Sequence, residues 1–243
     1  MILTERRTIM KKYVFSAAAA AALALSLTAC TFGGSGTQSP SAAPVSSAPA
    51  APRQVAPGSH RILTAYFSYG ENAEIPNGAD ASASASIQPA EDGMTGNTGL
   101  VAREIQKAAG GDLFSIRTVT PYPASYDDTV AKGREEQQQN ARPALSSHIE
   151  DPASYDVIFL GYPNWWGSMP MALYTFLDEY DLSGKTIIPF CTSGGSALSD
   201  TVEAIRAAEP NAVVLDGFHV SDSSAARSGN SVDQWVKSLN LGK

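Results

Sequence analysis

Three short segments concentrate hydroxyls, glycines and indoles at spacings that suit a ligand with one phosphate and one flat ring. The first is Thr95-Gly96-Asn97-Thr98, which opens a helix-like run beginning near Gly99. A helix N-terminus offers unpaired N–H groups and a favourable dipole to a phosphate. The hydroxyls of Ser68, Thr95 and Thr98 could donate as well. The loop holds no lysine and no GxxxxGK[ST] pattern, which disfavours a P-loop triphosphatase. Simple capping of the helix by Asn97 and Thr98 is the competing explanation. The second segment runs from Gly161 to Pro170 and sets Trp165 beside Trp166. Adjacent side chains on a strand point to opposite faces, so both indoles cannot enter one core. Gly161, Pro163, Gly167 and Pro170 make the segment read as a loop. The third is Cys191-Thr192-Ser193-Gly194-Gly195-Ser196, whose small residues let a backbone approach a flat ligand. Its competing explanation is a plain strand-to-helix turn with Ser196 as N-cap.

The elements that must hold these loops alternate in type. Strand-like runs cover 62–67, 113–119, 157–161, 186–191 and 212–218. Helix-like runs cover 100–109, 125–139, 171–180, 197–208 and 231–239, with Trp235 as a core anchor of the last. The continuous apolar run 157–161 is typical of a parallel strand buried on both faces. Such alternation implies right-handed crossovers and a doubly wound α/β domain with a five-stranded parallel sheet and helices on both faces. Ligands of such sheets bind beyond the carboxyl ends of the strands, where strand order reverses. All three segments leave strands there. Pro189 sits awkwardly inside its strand. A polar insertion at about 70–93 interrupts the first connection, though Ile75 and Ile87 leave room for packing.

Taken together, YFS at 66–68, TGNT at 95–98, GYPNWWGSMP at 161–170, SGKTIIPF at 183–190 and TSGGS at 192–196 resemble the flavodoxin-like family, in that family's order. The resemblance implies FMN as cofactor and a sheet of order 2-1-3-4-5. It places Ser68, Thr95, Gly96, Asn97 and Thr98 at the phosphate. It places Pro163, Asn164, Trp165, Trp166 and Gly167 on one side of the ring, with Thr192, Ser193, Gly194, Gly195 and Ser196 on the other. The insertion between Ser68 and Thr95 departs from relatives that keep these residues contiguous, and it could displace Ser68 and Tyr69.

The N-terminus reads as an address. Arg6, Arg7, Lys11 and Lys12 precede an apolar run from Val14 to Ala29, the layout of a secretory signal. Leu27-Thr28-Ala29-Cys30 resembles the bacterial lipobox, which implies a diacylglycerol on Cys30 and anchoring in the bacterial cell envelope, outside the cytoplasmic membrane. An ordinary signal peptide with a chance cysteine is the alternative. Arg6-Arg7 also resembles the twin-arginine export signal, which a start at Met10 would remove. The expected organisation is a signal at 1–29, Cys30 with a Gly/Ser/Ala/Pro linker at 30–59, and one folded domain at 60–243. Residues 1–29 hold four of the 17 basic and one of the 24 acidic side chains, leaving −10 on the remainder. An acidic domain repels phosphodiester backbones, which argues against nucleic acid. His60, His148 and His219 lack metal-ligand spacing, and no metal site is expected. Asp127-Asp128 and Glu135-Glu136 read as solvated helix faces, and Cys191 as a small buried group.

The leading functional expectation is an FMN-binding electron-transfer protein exchanging electrons with a redox partner protein or a quinone. Its acidic surroundings would disfavour a reduced, anionic flavin and lower its potential. An FMN-dependent NAD(P)H/quinone oxidoreductase is the alternative, and a non-redox binding lipoprotein of the same fold is a third. No residue is singled out as catalytic.

Overall fold

In the computed structural model, residues 60–75, 87–91 and 93–241 are described. The expectations for the signal, Cys30 and the linker fall outside them, as does 76–86 of the insertion. All described residues belong to one unit, Pro49–Lys243.

The chain runs β1 (Ile62–Tyr66), a single helical turn α1 (Tyr69–Asn72), β2 (Gln88–Ala90), β3 (Gly93–Thr95), α2 (Asn97–Ala109), β4 (Asp112–Ser115), α3 (Tyr126–Gln139) and β5 (Val157–Pro163). It continues through α4 (Met171–Glu179), β6 (Thr186–Ser193), α5 (Thr201–Ala208), β7 (Val213–Val214), β8 (Phe218–Ser221), a 3-10 turn (Asp222–Arg227) and α6 (Gly229–Ser238). β1 pairs in parallel with β4 on one side and β5 on the other. β5 pairs with β6, and β6 with both β7 and β8, again in parallel. With β7 and β8 counted as one interrupted strand, the order is the expected 2-1-3-4-5.

The interruption has a cause in sequence. The carbonyls of Lys185 and Ile187 accept from Val213 and Leu215, so odd-numbered residues of this stretch face the sheet edge. Pro189 faces the same way and has no N–H to offer. The edge ladder stops after Ile187 and resumes at Phe190, while pairing to β5 continues through Pro189. The expected single strand 212–218 is therefore two short ones.

The tryptophan segment also differs from expectation. Gly161 and Pro163 belong to β5, which is buried at all seven positions. The Gly161 carbonyl accepts from Phe67 on the β1 side. Pro163, two residues on, faces that side beyond the end of β1, where its missing N–H breaks no ladder. The Phe190 ring fills the place where a Cβ of residue 161 would stand.

Apolar side chains form a layer on each face of the sheet. Val101, Ala102 and Ile105 of α2 join Val232 and Val236 of α6 on one face, against Phe159 and Phe190. Leu173 and Phe176 of α4 and Ile205 of α5 pack on the other, against Ile158 and Leu160. Trp235 stacks on Phe218 with centroids 4.5 Å apart, as a core anchor should. Both ends of the insertion are tied down. Ile87 is buried, Ile75 packs against the same core cluster, and β2 pairs antiparallel with β3. Glu136 is not a solvated residue of α3: it is buried and accepts from the Tyr122 hydroxyl at 2.8 Å. Burial raises its carboxyl above the usual range, opposed by that bond and by Lys132.

Gly161→Ala forces a methyl into the Phe190 ring, and overpacking of this kind costs about 1–3 kcal/mol. A urea titration should show the midpoint falling with the slope unchanged; an unaltered midpoint would show that the ring has room to move.

Candidate functional site

Beyond the end of β1, the chain closes the insertion back on itself. Ser68 and Thr95 lie 27 residues apart, yet their hydroxyl oxygens are 3.4 Å from each other, and both residues are buried. Gly96 occupies the N-cap position of α2 and supplies no side-chain cap. Asn97 and Thr98 are already inside the helix and buried. The capping explanation for them therefore fails. A buried helix start without a side-chain cap leaves its first N–H groups to some other acceptor. Thr98 reaches across to Thr192, oxygen to oxygen at 2.8 Å. Asn97 accepts from Gln88 at 2.9 Å and bonds the carboxyl of Asp222 with its side chain.

Thr95 has a different task from the one its sequence suggests. Its hydroxyl donates to Glu71 at 2.5 Å. The same carboxylate, almost fully buried, accepts from Tyr66 at 2.9 Å and from Ser115 at 2.5 Å. Arg103 and Arg117 pair with it at 3.3 and 3.2 Å. Glu71 thus holds the loop from beneath and takes up the two nearest guanidinium charges. Gly70 and Gly99 are needed there because a Cβ on either would overlap Thr95.

The two indoles separate completely. Trp165 and Ser168 exchange backbone hydrogen bonds of 2.9 and 3.0 Å, closing a two-residue turn over Trp166 and Gly167. Both central residues have positive φ, 56° and 76°. This is the signature of a type I′ turn, which favours Asn-Gly and disfavours a bulky first residue. Trp165 points inward, edge-on to Phe67 at 5.6 Å and to Tyr122 at 5.2 Å. It packs on α3 at Gly133, where a Cβ would stand 3.1 Å from the indole, rather than on α4. Trp166 points outward and is half exposed. Its Nε1 donates to the Val130 carbonyl at 3.1 Å, and Arg134 lies over its ring at 4.9 Å.

Asn164 couples this turn to the third loop. Its Oδ1 accepts from Gly167 at 3.0 Å, and its Nδ2 donates to the Ala197 carbonyl and to Ser199 at 2.9 and 3.0 Å. Ser196 is not an N-cap. The helix α5 begins later, with Asp200 at its cap position. The intervening residues include Ala197 and Ser199 at φ 50° and 47°. Ser193 accepts from the N–H groups of Ala197 and Gly195, and its hydroxyl oxygen lies 2.9 Å from Nε2 of His219. Cys191 is fully buried at the strand end, as expected. Burial and the nearby Asp222 push its thiol up to about 12, so it carries no thiolate at neutral pH.

A cavity of about 390 Å³ lies between these walls. Pro163, Asn164, Trp165 and Trp166 line one side; Thr192, Ser193, Gly194 and Ser196 line the other. Gly167 and Gly195 shape the two turns without lining the space. Of the first segment, Thr98 and Asn97 reach this lining through Thr192 and Asp222, while Ser68, Thr95 and Gly96 do not line the cavity. Tyr69, whose place the insertion put in question, is part of the lining. The remaining lining was not foreseen: Tyr126, Thr129, Val130 and Gly133 of α3, and Asp222. No local motif marks them; a crossover helix and a strand end bring them in.

Among the described residues, a doubly wound sheet reverses its strand order beside a slot and a helix start without a side-chain cap, the arrangement at which α/β proteins of this class bind small ligands. The chain belongs to the flavodoxin family, whose model matches residues 90–239. Among solved structures it is similar to a candidate flavoprotein from Bacteroides eggerthii DSM 20697, with 27% identity and a TM-score of 0.57 over 75% of this chain and 99% of that one. A second candidate flavoprotein, from Bacteroides uniformis ATCC 8492, gives 27% identity and a TM-score of 0.56 over 74% and 99%. No curated protein matches the chain.

Trp165→Ala should cost about 3 kcal/mol, because it empties a space between Phe67, Tyr122 and α3. Trp166→Asn should change stability by less than about 1 kcal/mol, since relief of the positive φ offsets the lost indole contacts. Urea unfolding of the two variants tests this division, and equal losses would refute it. Alkylation of the folded chain at pH 7.5 should leave Cys191 unmodified until denaturant is added; rapid labelling would show the thiol to be accessible.

Proposed function

We propose that this protein binds FMN in the slot described above and carries electrons, held at the outside of the cytoplasmic membrane by a lipid on Cys30. The observation that carries the cofactor assignment is the start of α2, which is buried, lacks a side-chain cap and adjoins a slot walled by an indole turn. An anion is a suitable acceptor for the N–H groups of a helix start that has no side-chain cap. Ser68 and Thr98 are the hydroxyls suited to it; Thr95 keeps its proton on Glu71 and acts by shaping the loop. The two arginines beside this loop, Arg103 and Arg117, pair with Glu71. The fit is to a phosphate held by backbone N–H groups. The slot between Trp166 and the segment from Thr192 to Ser196 suits a planar ring, with Asn164 fixing its two walls relative to each other.

When bound, FMN supplies reversible electron transfer. The protein's part is to hold the phosphate, orient the ring, limit water around it and set the surrounding charge. Trp166 is the indole assigned to the ring. A bulky residue kept in a disfavoured backbone conformation and left half exposed points to a role other than packing. The excess of acidic side chains supports a low potential, because a negative field opposes addition of negative charge to the ring.

FMN-supplemented protein should show bound-flavin absorbance and quenched fluorescence, and neither in Trp166→Asn at the same concentrations. Colourless wild-type protein would sink the FMN assignment. Potentiometric titration should give a potential below that of free FMN. Rapid turnover of NAD(P)H with quinones, and no exchange with a protein acceptor, would replace the carrier by the reductase. Labelling cells with a lipid precursor should mark the protein and fail with Cys30→Ser; no label on wild type would remove the anchor.

A further inference from the structure

The two carboxyl groups nearest the start of α2 are treated differently by the fold. Glu71 is neutralised by two arginines and three hydroxyl donors. Asp222 is not. It is the first residue of the 3-10 turn after β8, it lines the slot beside Ser193 and Gly194, and it accepts a hydrogen bond from the Asn97 side chain. Asn97 is the first residue of α2, so this carboxyl stands one side chain away from the proposed phosphate cradle. The groups facing it are few. β8 presents His219, held on Ser193; β6 presents the neutral Cys191 thiol; α2 presents the uncharged Asn97 amide. On its own turn, Arg227 is engaged with the Ser223 carbonyl. No fixed cation on these elements opposes a carboxylate here.

We propose that Asp222 makes binding of a phosphate-bearing flavin proton-coupled: as the phosphate settles at the start of α2, the Asp222 carboxyl takes up one proton from solvent. This rests on the FMN assignment above. The proton removes a like-charge repulsion between two anions that share the uncapped helix end. Partial burial already raises this carboxyl above its ordinary range, opposed by Asn97 and His219. A bound phosphate shifts it further in the same direction. Protonation is thus favoured in the complex over the free protein, and affinity falls as pH rises through the interval between the two pKa values. One linked proton gives at most about a tenfold change in Kd per pH unit. The ligand's own second phosphate ionisation, at about pH 6, acts on every variant alike.

The test is a flavin titration followed by fluorescence quenching, from pH 5.5 to 8.5, on the full chain. FMN and riboflavin are compared on wild type, Asp222→Asn, Asp222→Ser and His219→Gln, each first checked for folding by circular dichroism. Wild type and both Asp222 variants should bind FMN alike at pH 5.5. At pH 8.5 the Asp222 variants should bind it about tenfold more tightly. Riboflavin should show no such divergence, and His219→Gln should keep the wild-type slope. Equal FMN slopes in wild type and both Asp222 variants would overturn the inference while leaving the FMN assignment standing. So would a divergence as large for riboflavin, or one that follows His219. Failure of every protein to bind FMN at any pH would overturn the FMN assignment and this inference with it.

Discussion

The reversal of strand order between β1 and β5 is the constraint on which the rest depends. β1 has β4 on one side and β5 on the other. Its outgoing chain passes to the face carrying α2 and α6, while the chain leaving β5 turns to the face carrying α4 and α5. Two neighbouring strands whose connections part in this way leave an opening above the sheet. The bare end of α2 reaches that opening from one face and the Trp165–Ser168 turn from the other. Thr98 on Thr192 and Asn164 on Ala197 stitch the rims together. The first contact joins the segment after β1 to β6, and the second joins the end of β5 to the segment after β6.

Within that opening the chain holds backbone in disfavoured conformations. Trp166, which lines the slot, has positive φ, as do Ala197 and Ser199, which accept from the slot-lining Asn164. Each such residue costs of order 1 kcal/mol or more, and persists only where its surroundings over-determine it. Here the determinants are visible: the paired hydrogen bonds of the turn, the three bonds of Asn164 and those of Ser193. Trp165 anchors the turn from inside, so its neighbour can be spared from packing.

Charge is distributed with equal economy. An acidic chain has gathered two arginines beside the Thr95–Thr98 loop, but directs them at Glu71. The helix start is left without a side-chain cap, and Asp222 stands beside it on the Asn97 side chain. The buried Glu136, which accepts from Tyr122, is a separate device that braces α3.

The strand order and the two walls of the slot came from the resemblance that the three small-residue loops carry. The alternation of strand and helix runs, the continuous apolar stretch of β5 and those loops were enough to determine the fold class and where the chain leaves its strands. These are local properties: periodicity fixes which side chains can be buried, and glycine, proline and hydroxyl clusters mark where the chain must leave an element. Pro189 likewise foretold a disturbed ladder, though not that the break would fall on the edge strand, because the direction of a missing N–H depends on the parity of the pairing. Tertiary structure alone decided which indole faces inward, that Thr95 serves Glu71, that Glu136 is buried, and that α3 and Asp222 complete the lining. Those outcomes turn on residues brought together over long separations, 94 between Thr98 and Thr192, and on crossovers that carry no mark in any single segment.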